Sequence, residues 1–202
     1  MIKNYYYIYI AAALSIIIPF PPRFAYGIVA IILLNILIYS GFAVKVLTEK
    51  FHLKSMLSSL LIFTMVALTG IYKQLLILYT PSIAFTSGLA LYLTSFSSYV
   101  YGNVLDTVGL SPKEHLIRTS KRTLLFSMLV LLFFLFRDII SFGSITLPAL
   151  KGIKVITIFK IGEFHPFYFF ATIPGTLIVL GLIFALFSYI DRKLMILRRA
   201  SE

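Results

Sequence analysis

In this chain of 202 residues, 60% are hydrophobic and only 12% charged, which leaves too few polar side chains to cover a water-soluble domain. The net charge of +11 lies in short stretches beside apolar runs, which argues against a nucleic-acid face and for the basic loops of an integral membrane protein. Cysteine is absent, so disulfides, thiolate metal sites and a cysteine nucleophile are excluded together.

Six apolar segments are predicted, at residues 5–20, 24–44, 56–79, 82–104, 123–142 and 166–190. No Gly/Ser-rich or Pro-rich linker separates them, so one transmembrane domain over residues 1–202 is expected. The first segment is short and is broken by Pro19, Pro21 and Pro22, the pattern of a half-helix or re-entrant piece. Lys3 ahead of it resembles the start of a signal peptide, but no small-residue cleavage site precedes the prolines.

If all six segments cross, twelve of the 18 Lys and Arg residues, Lys45, Lys50 and Lys54 among them, share the side of both termini. The other six include Arg23, Lys73 and Arg137. The positive-inside rule then places both termini in the cytoplasm of a multi-pass inner-membrane protein. Lys73 with Gln74, near the end of the third segment, reads as an interfacial anchor.

The fourth segment is dense in small and hydroxylated residues, from Ser82 and Thr86 through Ser97, Ser98 and Gly102, and is expected inside the bundle. A break at Ser97-Ser98 would free backbone groups for an ion or cofactor, provided a mirrored break occurs elsewhere, with the first segment as candidate. After it, Ser111-Pro112-Lys113-Glu114 combines an N-cap serine, a proline at the first helical position and a glutamate placed to close a capping box. A helix lying at the headgroup boundary should start there.

The fifth segment ends on Arg137-Asp138, where the two charges are expected to neutralise each other in part at the outer interface. The following loop, 144–165, is rich in Ile, Val, Thr and Phe and reads as a short hairpin or a half-buried coil, covered by another subunit or by the chain itself. In the last segment Pro174-Gly175 interrupts an apolar run that stops at Asp191-Arg192-Lys193, so a turn there should pack against protein, and a partner subunit is expected to supply it.

Catalytic chemistry is sparse. His52 and His115 fall on one side and His165 on the other, so no one metal binds all three, and the seven acidic residues form no pair on a helix face. No phosphate-binding loop or dinucleotide fingerprint occurs. These absences argue against a membrane hydrolase or a metal-dependent phosphotransferase.

Two runs carry a family resemblance. Arg137-Asp138-Ile139-Ile140 ahead of Gly143 resembles the stretch that closes the fifth helix in the RnfE/NqrD family. His165-Pro166-Phe167, then Ile173-Pro174-Gly175-Thr176 through Leu180-Gly181-Leu182 to Ile190-Asp191-Arg192-Lys193, is similar to that family's last helix. Its members are small membrane subunits of the Rnf ferredoxin:NAD oxidoreductase and of the sodium-pumping Nqr NADH:quinone oxidoreductase. The C-terminal part carries the resemblance, and the first helices agree in number alone.

The resemblance implies an all-α bundle of six transmembrane helices with an inverted 3+3 repeat, helices 1 and 4 broken. It further implies a homologous RnfA/NqrE-like membrane subunit as partner, together with flavin-bearing or iron-sulfur subunits, in a lipid bilayer and without nucleic acid. In the family, cysteines of the two subunits hold a two-iron two-sulfur cluster. Here Ile18 before Pro19 and Ser98 before Gly102 stand at those places, so no cluster and no cofactor bound by this chain's own side chains is expected. The implied function is a scaffolding or conducting subunit of an electron-transport, ion-translocating complex. Pro19, Ser97, Gly102, Arg137, Asp138, Pro174 and Gly175 are its candidate interface positions. Helix count and the lack of catalytic groups also suit the substrate-binding membrane component of a vitamin or small-molecule transporter, with the hydroxyls of the fourth segment lining a pocket.

Overall fold

The computed structural model describes residues 18–105, 112–150, 152–159 and 166–200. In chain order come helix α1 (Phe24–Lys50), a 3-10 turn (Lys54–Met56), α2 (Leu57–Tyr79), α3 (Pro81–Thr86), α4 (Gly88–Ser95), α5 (Ser98–Leu105) and α6 (Pro112–Phe142). A two-stranded antiparallel hairpin, β1 (Ser144–Ala149) and β2 (Gly152–Thr157), leads to a 3-10 helix (Pro166–Ala171) and then α7 (Ile173–Ala200). The first segment up to residue 17 and the Ser111 cap lie outside the described residues.

Three helices, α1, α2 and α6, are long and apolar enough to cross a membrane. Many of their large apolar side chains face outward: Phe63 is 75% exposed, Leu78 74% and Leu124 68%. A soluble protein does not present so wide an apolar surface, whereas lipid solvates it. The helices alternate in direction. At the end rich in lysine, Phe42 of α1 stacks on His115 of α6 with centroids 5.4 Å apart. At the opposite, hairpin end, the start of α1 meets the close of α6 and β1.

Helix α1 is the centre of the bundle, packing against α2, α4, α5, α6 and β1. Leu33, Leu34, Leu37 and Ile38 are completely buried. Between apolar helices in lipid there is little hydrophobic drive, so close van der Waals fit has to hold them. Gly27 supplies it: a Cβ there would lie 2.6 Å from the Phe134 ring of α6.

Lys45, just past the expected end of the second segment at residue 44, lies within α1 and belongs to this interior. It is 4% exposed, and its ammonium donates to the Val104 carbonyl at 2.9 Å, where the C-terminal end of α5 carries negative partial charge. Helix α1 then stops without a glycine. His52 takes the left-handed conformation (φ 57°), and Leu53 N–H and His52 N–H donate to the carbonyls of Thr48 and Glu49 at 2.9 and 3.3 Å, a Schellman ending.

The fourth apolar segment is three short helices. Ser97 makes the second interruption: its hydroxyl accepts from Tyr99 N–H at 3.3 Å and its carbonyl from Val100 N–H at 3.0 Å, so it is the N-cap of α5. One face of the segment is buried at Ile83, Leu91 and Val100, but Phe85 (75% exposed) and Leu89 (78%) point out, so it lines the bundle and does not fill it.

At the other end α6 closes on Gly143, whose φ of 60° suits glycine. Its carbonyl accepts from Ile158 N–H (2.8 Å) and Phe159 N–H (3.0 Å), tying the hairpin's return to the helix end. The loop after residue 143 is thus a hairpin, with Thr146 opposite Val155 and Pro148 opposite Ile153. The last apolar segment also differs from the expected 166–190 span. Residues 166–171 form the 3-10 helix, and α7 runs from Ile173 past Asp191-Arg192-Lys193 to Ala200.

Candidate functional site

Arg137 and Asp138 are consecutive on α6, so their side chains leave the helix about 100° apart. They face different elements. Asp138 is fully buried, and its Oδ2 accepts from Phe24 N–H (3.1 Å), Thr146 N–H (2.8 Å) and the Thr146 hydroxyl (2.6 Å). The Thr146 oxygen in turn accepts from Ala25 N–H at 3.2 Å. Phe24 and Ala25 open α1, and a helix N-terminus carries unpaired amides and positive partial charge. Asp138 therefore caps α1 from a distance of 114 residues in sequence and fastens β1 to the same point.

Arg137 does the converse. Only 2% exposed, it donates from Nε to the Phe170 carbonyl (3.2 Å) and from Nη2 to the Ala171 carbonyl (3.0 Å), the last two residues of the 3-10 helix. A cation at a helix C-terminus satisfies orphan carbonyls and their negative partial charge. The expected mutual neutralisation is replaced by two separate helix-end contacts. Arg137 Nη1, Asp138 Oδ1 and the Ser141 hydroxyl have no hydrogen-bond partner among the described residues.

Pro174 and Gly175 join this junction through the 3-10 helix. Pro174 occupies the first turn of α7, where its missing amide is harmless, so it starts a helix and interrupts none. Gly175 is buried, and a Cβ there would collide with the Phe169 carbonyl oxygen of the same chain. Its close neighbour is thus this chain's own backbone. Pro19 and Ile18, both half-buried, lie in the turn that leads to α1, beside the fully packed Phe20.

Ser97, Ser98 and Gly102 form a second group away from this junction. Ser97 is the buried cap described above. Ser98 is exposed at the first turn of α5, and a Cβ on Gly102 would meet nothing within 4 Å, so both sit on the outer surface of the bundle. The other hydroxyls of the segment turn back on their own helices: Thr86 donates to Ser82, Ser87 to Ile83, Thr94 to Ala90 and Ser95 to Tyr92. None of them lines the cleft at the start of α1 or the one along the outer face of α2. Lys73 holds its ammonium 5.4 Å from the Tyr92 ring centroid, which suits an anchor.

Thr146 was missed from sequence, though a signal existed. In a loop of apolar residues, Ser144 and Thr146 stand two apart on one strand face, and both are buried. Arg23 was also missed. Its guanidinium lies 3.9 Å above the Phe142 ring, in a cleft of about 430 Å³ at the hairpin end. No group of three or more metal-ligating side chains occurs among the described residues. Comparison with family models, curated proteins and solved structures gives no match to this chain.

Proposed function

We propose that the chain is a multi-pass subunit of the inner membrane with both termini in the cytoplasm, acting as a scaffold or conduit in an Rnf/Nqr-like electron-transport, ion-translocating complex. The observation that supports this most is the interruption of the fourth apolar segment at Phe96-Ser97, beside the Ser98 position where the resemblance places a cluster ligand. A break at that level in a segment of three short helices is costly in lipid unless a partner covers it. The outward-facing Ser98 and Gly102 would let a second helix approach closely. With Ile18 and Ser98 at the ligand positions, the chain contributes a surface and no iron ligand.

The test is purification of the tagged full chain from its own cells in mild detergent, with identification of what accompanies it. A homologous membrane subunit together with flavin- or iron-sulfur-bearing subunits is expected. Recovery with ATPase subunits and a bound small molecule would overturn the proposal.

A further inference from the structure

We propose that the cleft around Arg23 binds an amphiphilic anion, a phosphate or carboxylate group carried on an apolar body. This goes beyond any role in an electron-transport complex and does not depend on it.

Arg23 directly precedes α1, so its cation sits at the positive end of a 27-residue helix, a position the helix field disfavours. Phe142 holds one face of the guanidinium at 3.9 Å. No hydrogen bond or ion pair to it is found among the described residues, so its five-donor fork is held in place and unspent.

Among the described residues, the groups placed nearest to it are engaged elsewhere. Asp138, the carboxylate that caps the same helix end, is fully buried and already accepts three hydrogen bonds. The first amides of α1 are spoken for too: Phe24 by Asp138, Ala25 by Thr146, Tyr26 and Gly27 by the Arg23 carbonyl. They raise the local positive potential without acting as ligands.

The rest of the cleft is mainly apolar and aromatic: Tyr26 and Phe142 on the bundle side, Ile153 and Val155 from the hairpin, and Tyr168 from the 3-10 helix. A volume of about 430 Å³ falls within the range of small-ligand sites. A bare inorganic anion would use the fork and leave these walls in water, and a neutral apolar molecule would leave the fork unpaired. Only a ligand with both parts matches. Because the cleft lies where α1 starts and α6 ends, the same chemistry could arrive as a phospholipid headgroup or as a soluble ester.

Two probes separate the sources, each with the full chain in lipid nanodiscs. Phenyl phosphate is titrated into phosphatidylcholine discs by calorimetry, and phosphatidylglycerol retained by the protein is counted by native mass spectrometry from mixed discs. Saturable one-site binding of at least one probe is expected: phenyl phosphate identifies a soluble ligand, phosphatidylglycerol alone a lipid. Arg23→Gln should weaken it tenfold or more, and so should Val155→Trp, which narrows the cleft from an exposed strand position. Lys154→Gln, an exposed cation outside the cleft, should leave binding unchanged. The proposal is overturned if neither probe binds, if Arg23→Gln binds as the parent does, or if Lys154→Gln weakens binding equally. Should Arg23→Gln fail to fold, undiminished binding by Val155→Trp overturns it instead.

Discussion

Asp138 and Thr146 together satisfy the first two amides of the central helix, so losing either should be felt across the bundle. Asp138→Ala removes three charge-assisted hydrogen bonds and is expected to lower stability by about 2–4 kcal/mol, read by thermal unfolding in detergent. Thr146→Val keeps the shape but loses both hydroxyl bonds, at about 1–3 kcal/mol. The pair should be non-additive in a double-mutant cycle, with a coupling of about 0.5–3 kcal/mol, because each substitution deprives the other residue of its partner. Additive losses would mean that the two groups act separately. At the other end, Lys45→Met should cost about 1–3 kcal/mol by leaving the Val104 carbonyl without this donor. The charges at these positions were legible from sequence as features near helix ends. Their partners were not, since Phe24, Thr146, Phe170 and Val104 are brought near only by the alternating helices.

Helix ends set the next scale, and they divide into those the chain marks locally and those it does not. Pro174 and Gly175 were visible as an irregularity in an apolar run. Whether they break a helix or begin one depends on the 3-10 helix before them, whose backbone Gly175 touches. Gly175→Ala should therefore destabilise by forcing that contact apart, while Pro174→Ala stays within about 0.5 kcal/mol, since proline in a first turn removes no helical hydrogen bond. Thermal melts of the two variants compare them directly. His52 is the reverse case, a residue with no special signal that adopts a left-handed turn. His52→Gly should stabilise by about 1 kcal/mol by relieving that conformation. The interruption at Ser97 and the hairpin after Gly143 were both open to sequence reasoning, because a serine-rich stretch offers caps and a β-branched loop offers a strand. The choice of α1 as the central helix was not. Composition singled out the fourth segment, yet the close approach of α1 to α6 depends on Gly27 and on what faces it.

At the scale of the whole molecule, an apolar exterior, an interior threaded with helix-end contacts and a larger share of the described lysines toward one end fit a bundle whose solvent is lipid. Composition carried most of this, because 60% hydrophobic against 12% charged residues yields helices long and apolar enough to cross a membrane. On the proposed topology the hairpin end, with the Arg137–Asp138 junction and the Arg23 cleft, faces outward, and the lysine-rich end inward. The chain lacks cysteine, so single introduced cysteines report orientation without background. Leu150, 81% exposed at the hairpin, and Leu53, 43% exposed in the turn after α1, mark the two ends. With a membrane-impermeant maleimide on intact cells, Leu150→Cys should label at once and Leu53→Cys only after permeabilisation. Labelling of Leu53→Cys in intact cells, or of both positions alike, would contradict a membrane-spanning bundle with its hairpin end outside.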